Sequence, residues 1–213
     1  MALLPPPAGG RGDVHGLTCR PGRLSVEAFL TSLGLVTLAE IGDKTQLLAI
    51  LLATRFRRPL PIIGGIFAAT LANHFFAALL GVQAAALLQG AWFHYLIAAS
   101  FILMAGWALV PDKLEDMAEK PARYGAFLTT AIAFFLVEMG DKTQLATVAL
   151  GARFADVVPV TVGTTLGMMV ANVPAVYLGQ ALIRRVPLRT VRIAAALLFL
   201  SIGLWLLVQT VIA

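Results

Sequence analysis

The chain has few charged residues and a single cysteine, and each shortage excludes a class of protein. Only 13% of its 213 residues are charged and 59% are hydrophobic, whereas soluble domains carry roughly a quarter charged residues. This balance argues against a soluble globular domain and favours an integral membrane protein. Cys19 has no second cysteine within the chain, so an internal disulfide is excluded as a source of stability.

Acidic residues are scarcer than basic ones, with 11 Asp and Glu against 16 Lys and Arg and a formal net charge of +5. Such an excess could attract nucleic acid, but the basic residues stand in short clusters between apolar segments. Clusters of that kind are typical of the loops of a membrane protein. We therefore expect the lipid bilayer, and no nucleic acid, as a partner.

Six apolar segments approach or exceed the length of about 20 residues that a membrane-spanning helix needs. They cover roughly 25–52, 60–82, 91–110, 125–150, 157–181 and 191–212. The sequence therefore predicts an all-α, polytopic membrane protein with six transmembrane helices. Residues 1–24 are rich in Pro, Gly and Arg and lack periodicity, which predicts a disordered N-terminal tail.

One charged heptapeptide occurs twice inside this apolar sequence. Residues 40–46 read Glu-Ile-Gly-Asp-Lys-Thr-Gln, and residues 138–144, 98 positions later, differ only in having Met for Ile. Ionisable side chains at membrane depth are costly and usually mark a transport path or a proton site. Two copies of so costly a feature indicate a function.

The two halves of the chain match beyond this motif. At the same offset of 98, Pro61 matches Pro159 and Trp107 matches Trp205. The charged segment 111–124 separates the halves and predicts a cytoplasmic connector between two three-helix repeats, 25–110 and 125–213. Because each repeat has an odd number of spans, the second is expected to insert upside down. Inverted repeats of this kind place substrate sites near the midplane of many transporters.

The distribution of Lys and Arg predicts the orientation. The loops after the first, third and fifth predicted spans carry ten of these residues, and the opposite face carries four. The positive-inside rule then places both termini outside the cytoplasm. The expected location is the inner (plasma) membrane, and the oligomeric state is left open.

If each motif is helical, its charged side chains share one face of the helix. Glu40, Asp43 and Lys44 stand at i, i+3 and i+4, and Gln46 extends the same face. Gly42 allows either a close approach of another backbone or an opening of the helix that exposes carbonyls. The second copy repeats the pattern. We therefore expect six ligand-bearing side chains to converge near the centre of the bilayer: Glu40, Asp43, Gln46, Glu138, Asp141 and Gln144.

Oxygen ligands without Cys or His suit hard divalent cations such as Ca²⁺ or Mn²⁺. Four carboxylates and two lysines sum to a charge of −2, which one divalent ion or two protons would neutralise. Closely spaced carboxylates also take up protons more readily than isolated ones, because each negative charge disfavours ionisation of the next. These properties are those of an antiporter that exchanges a divalent cation for protons.

Several polar residues around the motifs have more than one interpretation. Lys44 and Lys142 either neutralise an empty site or extend toward the head groups. Asn73 and Asn172, at matching places in the second and fifth predicted spans, are either ligands or hydrogen-bond partners between helices.

The two copies of Glu-x-Gly-Asp-Lys-Thr resemble the signature of the Golgi-type manganese/calcium:proton exchanger family, which has bacterial members. The resemblance covers nearly all of residues 25–212, and every defining position of both signatures matches. It implies six spans in two halves and export of Mn²⁺ or Ca²⁺ against protons, with Mn²⁺ favoured among bacterial members. It also implies that the signature acids bind the ion, with supporting groups at Thr45, Gln46, Thr143 and Gln144.

Three other functions remain open from the residues alone. Paired carboxylates in the membrane could serve an intramembrane hydrolase, since Ile41-Gly42-Asp43 comes close to the Gly-x-Gly-Asp of membrane aspartyl proteases. An exporter of small organic cations or amino acids would need a roomier, aromatic-lined cavity. An uncoupled channel would give electrogenic flux. Our prediction is a secondary transporter and not an enzyme. It has no cofactor, with Mn²⁺ or Ca²⁺ as the transported substrate and H⁺ as the counter-ion.

Overall fold

A computed structural model of the protein describes residues 21–88, 90–110, 125–179 and 187–212. Throughout these ranges the chain forms α-helices and no β-strand. The eight helices are α1 (Pro21–Glu40), α2 (Lys44–Phe56), α3 (Pro59–Leu87), α4 (Ala91–Ala108), α5 (Ala126–Glu138), α6 (Lys142–Phe154), α7 (Val157–Leu178) and α8 (Leu188–Ile212). The all-α prediction is confirmed for this part of the chain. The predicted connector 111–124 and most of the predicted tail lie outside the described residues, and α1 already begins at Pro21.

Four helices are long and apolar enough to cross a membrane by themselves: α3, α4, α7 and α8. They correspond to the second, third, fifth and sixth predicted spans. The pair α1 and α2 passes the same test only as one broken span, bent by 68°. The described part of the chain therefore has four candidate spans, or five with the broken pair, while α5 is a shorter apolar helix.

The first and fourth predicted spans are not continuous helices, and this corrects the prediction that each motif lies on one helical face. Both breaks fall inside the heptapeptide, where Gly42 and Gly140 have φ values of +82° and +78°. Glycine adopts this left-handed conformation without the steric cost that a Cβ atom brings. Glu40 therefore ends α1 while Lys44 begins α2, so the two side chains do not share a helical face.

The helices of the two halves pack on each other in a reciprocal way. α1 packs on α7, α3 packs on α5, and α4 packs on α8. A Cβ atom on Gly65 of α3 would lie 2.6 Å from the Phe127 carbonyl oxygen, and one on Gly163 of α7 would lie 2.5 Å from that of Phe29. Both pairs are related by the offset of 98. The duplication in sequence is thus also a duplication of helix contacts, each made between the halves.

Aromatic side chains fill the contact between α4 and α8. Phe101 and Phe199, again 98 positions apart, are buried with ring centroids 6.3 Å apart. On the outer surface, large apolar side chains such as Phe76 and Leu103 are 62% and 75% exposed. An outer surface of this kind fits a lipid environment and places the polar groups inside the bundle.

Glycine allows α3 and α6 to approach at a distance that no other residue permits. A Cβ atom on Gly81 would lie 2.0 Å from the Val148 carbonyl oxygen and 2.7 Å from the Ala152 nitrogen. These are backbone atoms and cannot move aside, so Gly81→Ala should destabilise the protein by about 1–3 kcal/mol or more. The measurement is the melting temperature of the purified protein in detergent.

Gly106→Ala is the matched control for this prediction, because a Cβ atom on Gly106 of α4 meets none of the described residues within 4 Å. There the gain in helix propensity should keep or raise the melting temperature, by up to about 1 kcal/mol of stability. Equal melting temperatures for the two variants would contradict the close contact between α3 and α6.

Candidate ion-binding site

Each motif forms the same helix–break–helix unit. In the first copy, Asp43 is the N-cap of α2 with φ −80° and ψ 168°. In the second, Asp141 is the N-cap of α6 with φ −79° and ψ 165°. The residue that follows each second helix also repeats, since Arg57 and Ala155 both have φ +51°. The motif thus encodes one local structure twice.

The two glutamines stabilise these breaks. The Gly42 N–H donates a hydrogen bond to Gln46 Oε1 over 2.9 Å, and the Gly140 N–H donates to Gln144 Oε1 over 2.7 Å. Gln46 also donates from Nε2 to the Ala171 carbonyl oxygen of α7 over 3.0 Å. The amide oxygens that the sequence proposed as ion ligands thus each hold the backbone of their motif with one lone pair, and the second lone pair remains for a cation.

Three carboxylates from the two motifs meet inside the bundle. One oxygen each of Glu40, Asp43 and Asp141 lies within 4.8 Å of the others, and the three residues are 0%, 1% and 4% exposed. Cation–oxygen distances in Ca²⁺ sites are about 2.3–2.6 Å, so ligands on opposite sides of an ion lie about 5 Å apart. One cation can therefore contact all three groups, which we name the three-carboxylate cluster.

The lysine of each motif pairs with the aspartate of the other. Lys142 Nζ lies 2.6 Å from Asp43 Oδ1, and Lys44 Nζ lies 2.9 Å from Asp141 Oδ1. The side chain of Lys142 is 6% exposed and that of Lys44 is 26% exposed. Of the two interpretations of the lysines, this geometry favours neutralisation of the cluster over extension toward the head groups.

Both motif threonines hold Glu40. Thr45 Oγ1 donates to Glu40 Oε2 over 2.5 Å, and Thr143 Oγ1 of the other copy donates to Glu40 Oε1. Each carboxylate oxygen thus accepts one hydroxyl hydrogen bond. These contacts fix the orientation of the carboxylate toward the cluster, where its remaining lone pairs are available to a cation.

Glu138 departs from the symmetry of the motifs. It is buried, at 1% exposure, but does not belong to the three-carboxylate cluster. It accepts hydrogen bonds from Thr70 Oγ1 over 3.0 Å and from Asn73 Nδ2 over 3.3 Å, both on α3. The sequence predicted a role for Asn73 but missed Thr70, whose position one turn earlier on the same face of α3 was the available signal.

Asn172 is placed differently from its predicted counterpart Asn73. Its Nδ2 donates to the Met168 carbonyl oxygen over 3.1 Å within α7. Among the described residues its amide makes no hydrogen bond to a motif side chain, and its Oδ1 is buried without a partner. Asn73 and Asn172 therefore do not occupy equivalent places around the cluster.

The two motifs also differ in how they are covered. A Cβ atom on Gly42 would lie 2.6 Å from Leu188 Cδ2 at the beginning of α8, whereas one on Gly140 would meet no described residue within 4 Å. Met139 beside Gly140 is 55% exposed. Among the described residues, Leu188 thus covers the first break and none covers the second, and nothing in the sequence analysis singled out Leu188.

Fold and cluster together define a helical membrane protein that brings two copies of an acidic motif, one from each half of the chain, to a single buried place. Comparison with known proteins agrees with this definition. The sequence profile described as "Divalent cation/proton antiporter GDT1" matches residues 28–116 and 126–212. The chain belongs to the GDT1 family of divalent cation/proton antiporters, so it is a transporter and the hydrolase alternative is wrong.

Relatives of the chain come from bacteria and plants. It is 52% identical over 174 residues to a Vibrio cholerae protein named "Putative manganese exporter", covering 81% of this chain and 86% of that protein. It is 32% identical over 197 residues to a GDT1-like protein of Synechocystis, covering 81% and 92%. It is 28% identical over 219 residues to GDT1-like protein 5 of Arabidopsis thaliana, covering 84% and 94%. No solved structure matches the chain. The predicted family resemblance is confirmed.

Proposed function

We propose that the protein exports a divalent cation in exchange for protons and that the three-carboxylate cluster binds both in turn. The observation that carries this proposal is the convergence of Glu40 and Asp43 from one motif with Asp141 from the other within 4.8 Å. A buried acidic cluster assembled from both halves changes shape when the halves move relative to each other. Such a cluster can face one side of the membrane and then the other.

Mn²⁺ is our first choice of substrate and Ca²⁺ the second. The cluster offers carboxylate oxygens alone, which suits hard cations and disfavours copper or zinc. The relative from Vibrio cholerae carries the name of a manganese exporter, and this tips the choice toward Mn²⁺. The second oxygen of Asp141 is buried without a hydrogen-bond partner among the described residues and is a further ligand position.

Proton exchange follows from the charges that surround the cluster. Glu138, the first residue of the second motif, is also buried, and with the three clustered carboxylates and two lysines the net charge is −2. One divalent ion or two protons would neutralise that charge, so the buried site is costly when it holds neither. We propose that this cost couples departure of the metal ion to protonation.

We further propose that the chain crosses the inner membrane six times as two inverted three-helix repeats, 25–110 and 125–213. The broken pairs α1–α2 and α5–α6 would each count as one span. The reciprocal contacts of Gly65 with Phe127 and Gly163 with Phe29 are those of a two-fold related pair. The residues 111–124 would be the cytoplasmic connector and 1–24 the tail, with both termini outside the cytoplasm as the ten-to-four distribution of Lys and Arg indicates.

The unequal covering of the two motifs supports alternating access. Leu188 packs against Gly42, whereas no described residue occupies the space at Gly140. If the repeats are inverted, these two breaks face opposite sides of the membrane. The described conformation would then be closed at the first motif and open toward the second, and the transport cycle would exchange the two arrangements.

The test is flux in proteoliposomes that contain the purified protein and an internal pH dye. With an inward Mn²⁺ gradient, we expect Mn²⁺ entry accompanied by proton exit, and a smaller response to Ca²⁺. Mn²⁺ entry without proton exit would contradict exchange. An electrogenic Mn²⁺ or proton flux that is not coupled to a counter-ion would indicate a channel. Counter-flow of amino acids or organic cations in place of metal ions would indicate the remaining alternative substrate class.

A further inference from the structure

A polar cavity of about 490 Å³ lies at the end of the bundle where α6 ends. Its lining comes from the beginnings of α1 and α4 and from the ends of α3, α6 and α8, represented by Glu27, His94, Leu88, Arg153 and Gln209. Helix ends that carry charged side chains lie near the head groups of a bilayer. We name this space the Arg153 cavity.

Arg153 is buried in this cavity with hydrogen-bonding capacity to spare. Its side chain is only 11% exposed, and its guanidinium carbon lies 4.4 Å from the ring centre of Trp205 and 4.8 Å from that of Phe154. The closest ion-pair distance is 3.6 Å, from Nη2 to Glu27 Oε1, and Nε has no hydrogen-bond partner among the described residues. A guanidinium held this way by two aromatic rings is ready for an oxyanion, which it recognises by paired N–H donors.

Glu27 gives the same cavity a negative group, with a side chain that is 47% exposed. A purely anionic ligand beside Arg153 would be repelled by Glu27, and a purely cationic ligand beside Glu27 would be repelled by Arg153. A zwitterion with a phosphate and an ammonium group satisfies both. A primary ammonium also donates hydrogen bonds to the carboxylate, which a quaternary ammonium cannot do.

An apolar groove of about 430 Å³ continues from this cavity along α4. The two spaces share Leu88, Phe93, Ile97 and Ala152 as lining residues. The groove follows α4 from Phe93 to Trp107, which are 14 positions apart and thus about 21 Å along a helix. One leaflet contributes about half of the ~30 Å hydrocarbon thickness of a bilayer, so a lipid chain fits within the length of the groove.

The groove offers such a chain an almost entirely apolar wall. Ser100 supplies its hydroxyl, which already donates to the Ile97 carbonyl oxygen over 2.7 Å. The indole N–H of Trp107 belongs to the far end of the groove, on a residue that is 38% exposed. The opposite wall consists of Leu145, Val148 and Ala149 of α6. No buried hydrogen-bonding group in this wall would be left unsatisfied by a hydrocarbon chain.

From these observations we propose that the protein binds a phospholipid with an ethanolamine head group at this place. The phosphate lies beside Arg153, the ammonium beside Glu27, and one acyl chain in the groove along α4. The other half of the chain does not carry the same pair of charged residues. The position 98 residues after Glu27 is Gly125, and the counterpart of Arg153 is the exposed Arg55.

The test is lipid binding to the full-length, delipidated protein in detergent, measured by native mass spectrometry. Phosphatidylethanolamine, phosphatidylcholine and phosphatidylglycerol with identical acyl chains are the probes. We expect phosphatidylethanolamine to bind about tenfold more tightly than the other two, the effect of one charge-assisted hydrogen bond. Arg153→Gln should lose about tenfold in this affinity, and Arg55→Gln, its counterpart in the repeat, should bind as the wild type does.

Two further variants keep the proposal testable if Arg153→Gln fails to fold. Glu27→Gln should abolish the preference for phosphatidylethanolamine over phosphatidylcholine while retaining binding of both. Leu96→Trp places a large ring in the groove from a wall residue that is 53% exposed, and it should weaken all three lipids. Equal binding of the three lipids by the wild type, tighter binding of phosphatidylglycerol, or identical behaviour of Arg153→Gln and Arg55→Gln would overturn the proposal.

Discussion

Glu40→Gln is expected to lower Mn²⁺ transport in proteoliposomes at least about 100-fold while the protein still inserts and folds. Removing one charge from a buried ionic group typically costs about 3–5 kcal/mol, and each 1.4 kcal/mol is a factor of ten in binding. Glu40 is fully buried, and each of its oxygens accepts a threonine hydroxyl. Glutamine keeps the volume and one acceptor oxygen, so the loss isolates the charge. Asp141→Asn should have an effect of the same size.

The control for this prediction is Asp156→Asn, which removes an acidic charge outside the cluster. Asp156 accepts a hydrogen bond from Ser25 Oγ over 3.3 Å at the beginning of α7, and its loss should leave transport near the wild-type rate. Near-normal transport by both Glu40→Gln and Asp141→Asn would count against the proposed site. Transport lost together with insertion, seen by size-exclusion chromatography, would indicate a role in folding instead.

The pairing of the two motifs was predictable from sequence because its evidence is itself a repeat. Each half carries the same charged residues inside apolar sequence. The groups best placed to neutralise these charges are those of the other copy. In the structure, Lys44 lies beside Asp141 and Lys142 lies beside Asp43, so each motif pairs with charges of the other. The all-α fold class was also predictable, from the length of the apolar segments.

The sequence left the break inside each motif as one of two alternatives at Gly42, which permits either a close backbone contact or an opened helix. Apolar residues continue on both sides of Gly42, so the periodicity of the sequence is equally compatible with a straight helix. The break is held by a hydrogen bond inside each motif, from the Gly42 N–H to Gln46 and from the Gly140 N–H to Gln144. The motif therefore contains the groups that stabilise the break, although the apolar periodicity around it does not reveal them.

The different hydrogen-bond partners of Glu40 and Glu138 could not be predicted from the sequence. Equal motifs predict equal roles, yet Thr143 of the second copy donates to Glu40, while Thr70 and Asn73 of α3 hold Glu138. A conformation in which the halves pack unequally produces this difference from identical residues. The two motifs offer the same side chains as hydrogen-bond partners. The packing of the helices determines which of these partners each glutamate contacts.

Lys142→Met should strongly destabilise the protein in the absence of divalent cations. Lys142 lies 2.6 Å from Asp43, with side chains that are 6% and 0% exposed, so its loss leaves a buried carboxylate without its lysine. We expect a cost of about 3–5 kcal/mol, measured as the melting temperature in detergent with a chelator. Added Mn²⁺ should restore most of this loss, since the ion takes the place of the ammonium beside Asp43. Lys44→Met should cost less, because Lys44 is 26% exposed and water already solvates part of its ammonium group, which weakens its pairing with Asp141.

The double variant Asp43→Asn/Lys142→Met tests whether the loss of stability in Lys142→Met arises from the ion pair of Lys142 with Asp43. If the lysine neutralises Asp43, removing both charges should be far less destabilising than the sum of the single changes, and this non-additivity measures the coupling. Mn²⁺ should no longer raise the melting temperature of the double variant, because one of the three clustered carboxylates is gone. Additive losses of stability in the double variant would mean that Lys142 does not act through Asp43. If Mg²⁺ and Mn²⁺ stabilised Lys142→Met and Lys44→Met equally, the lysines would be structural and would not occupy the position of the transported ion.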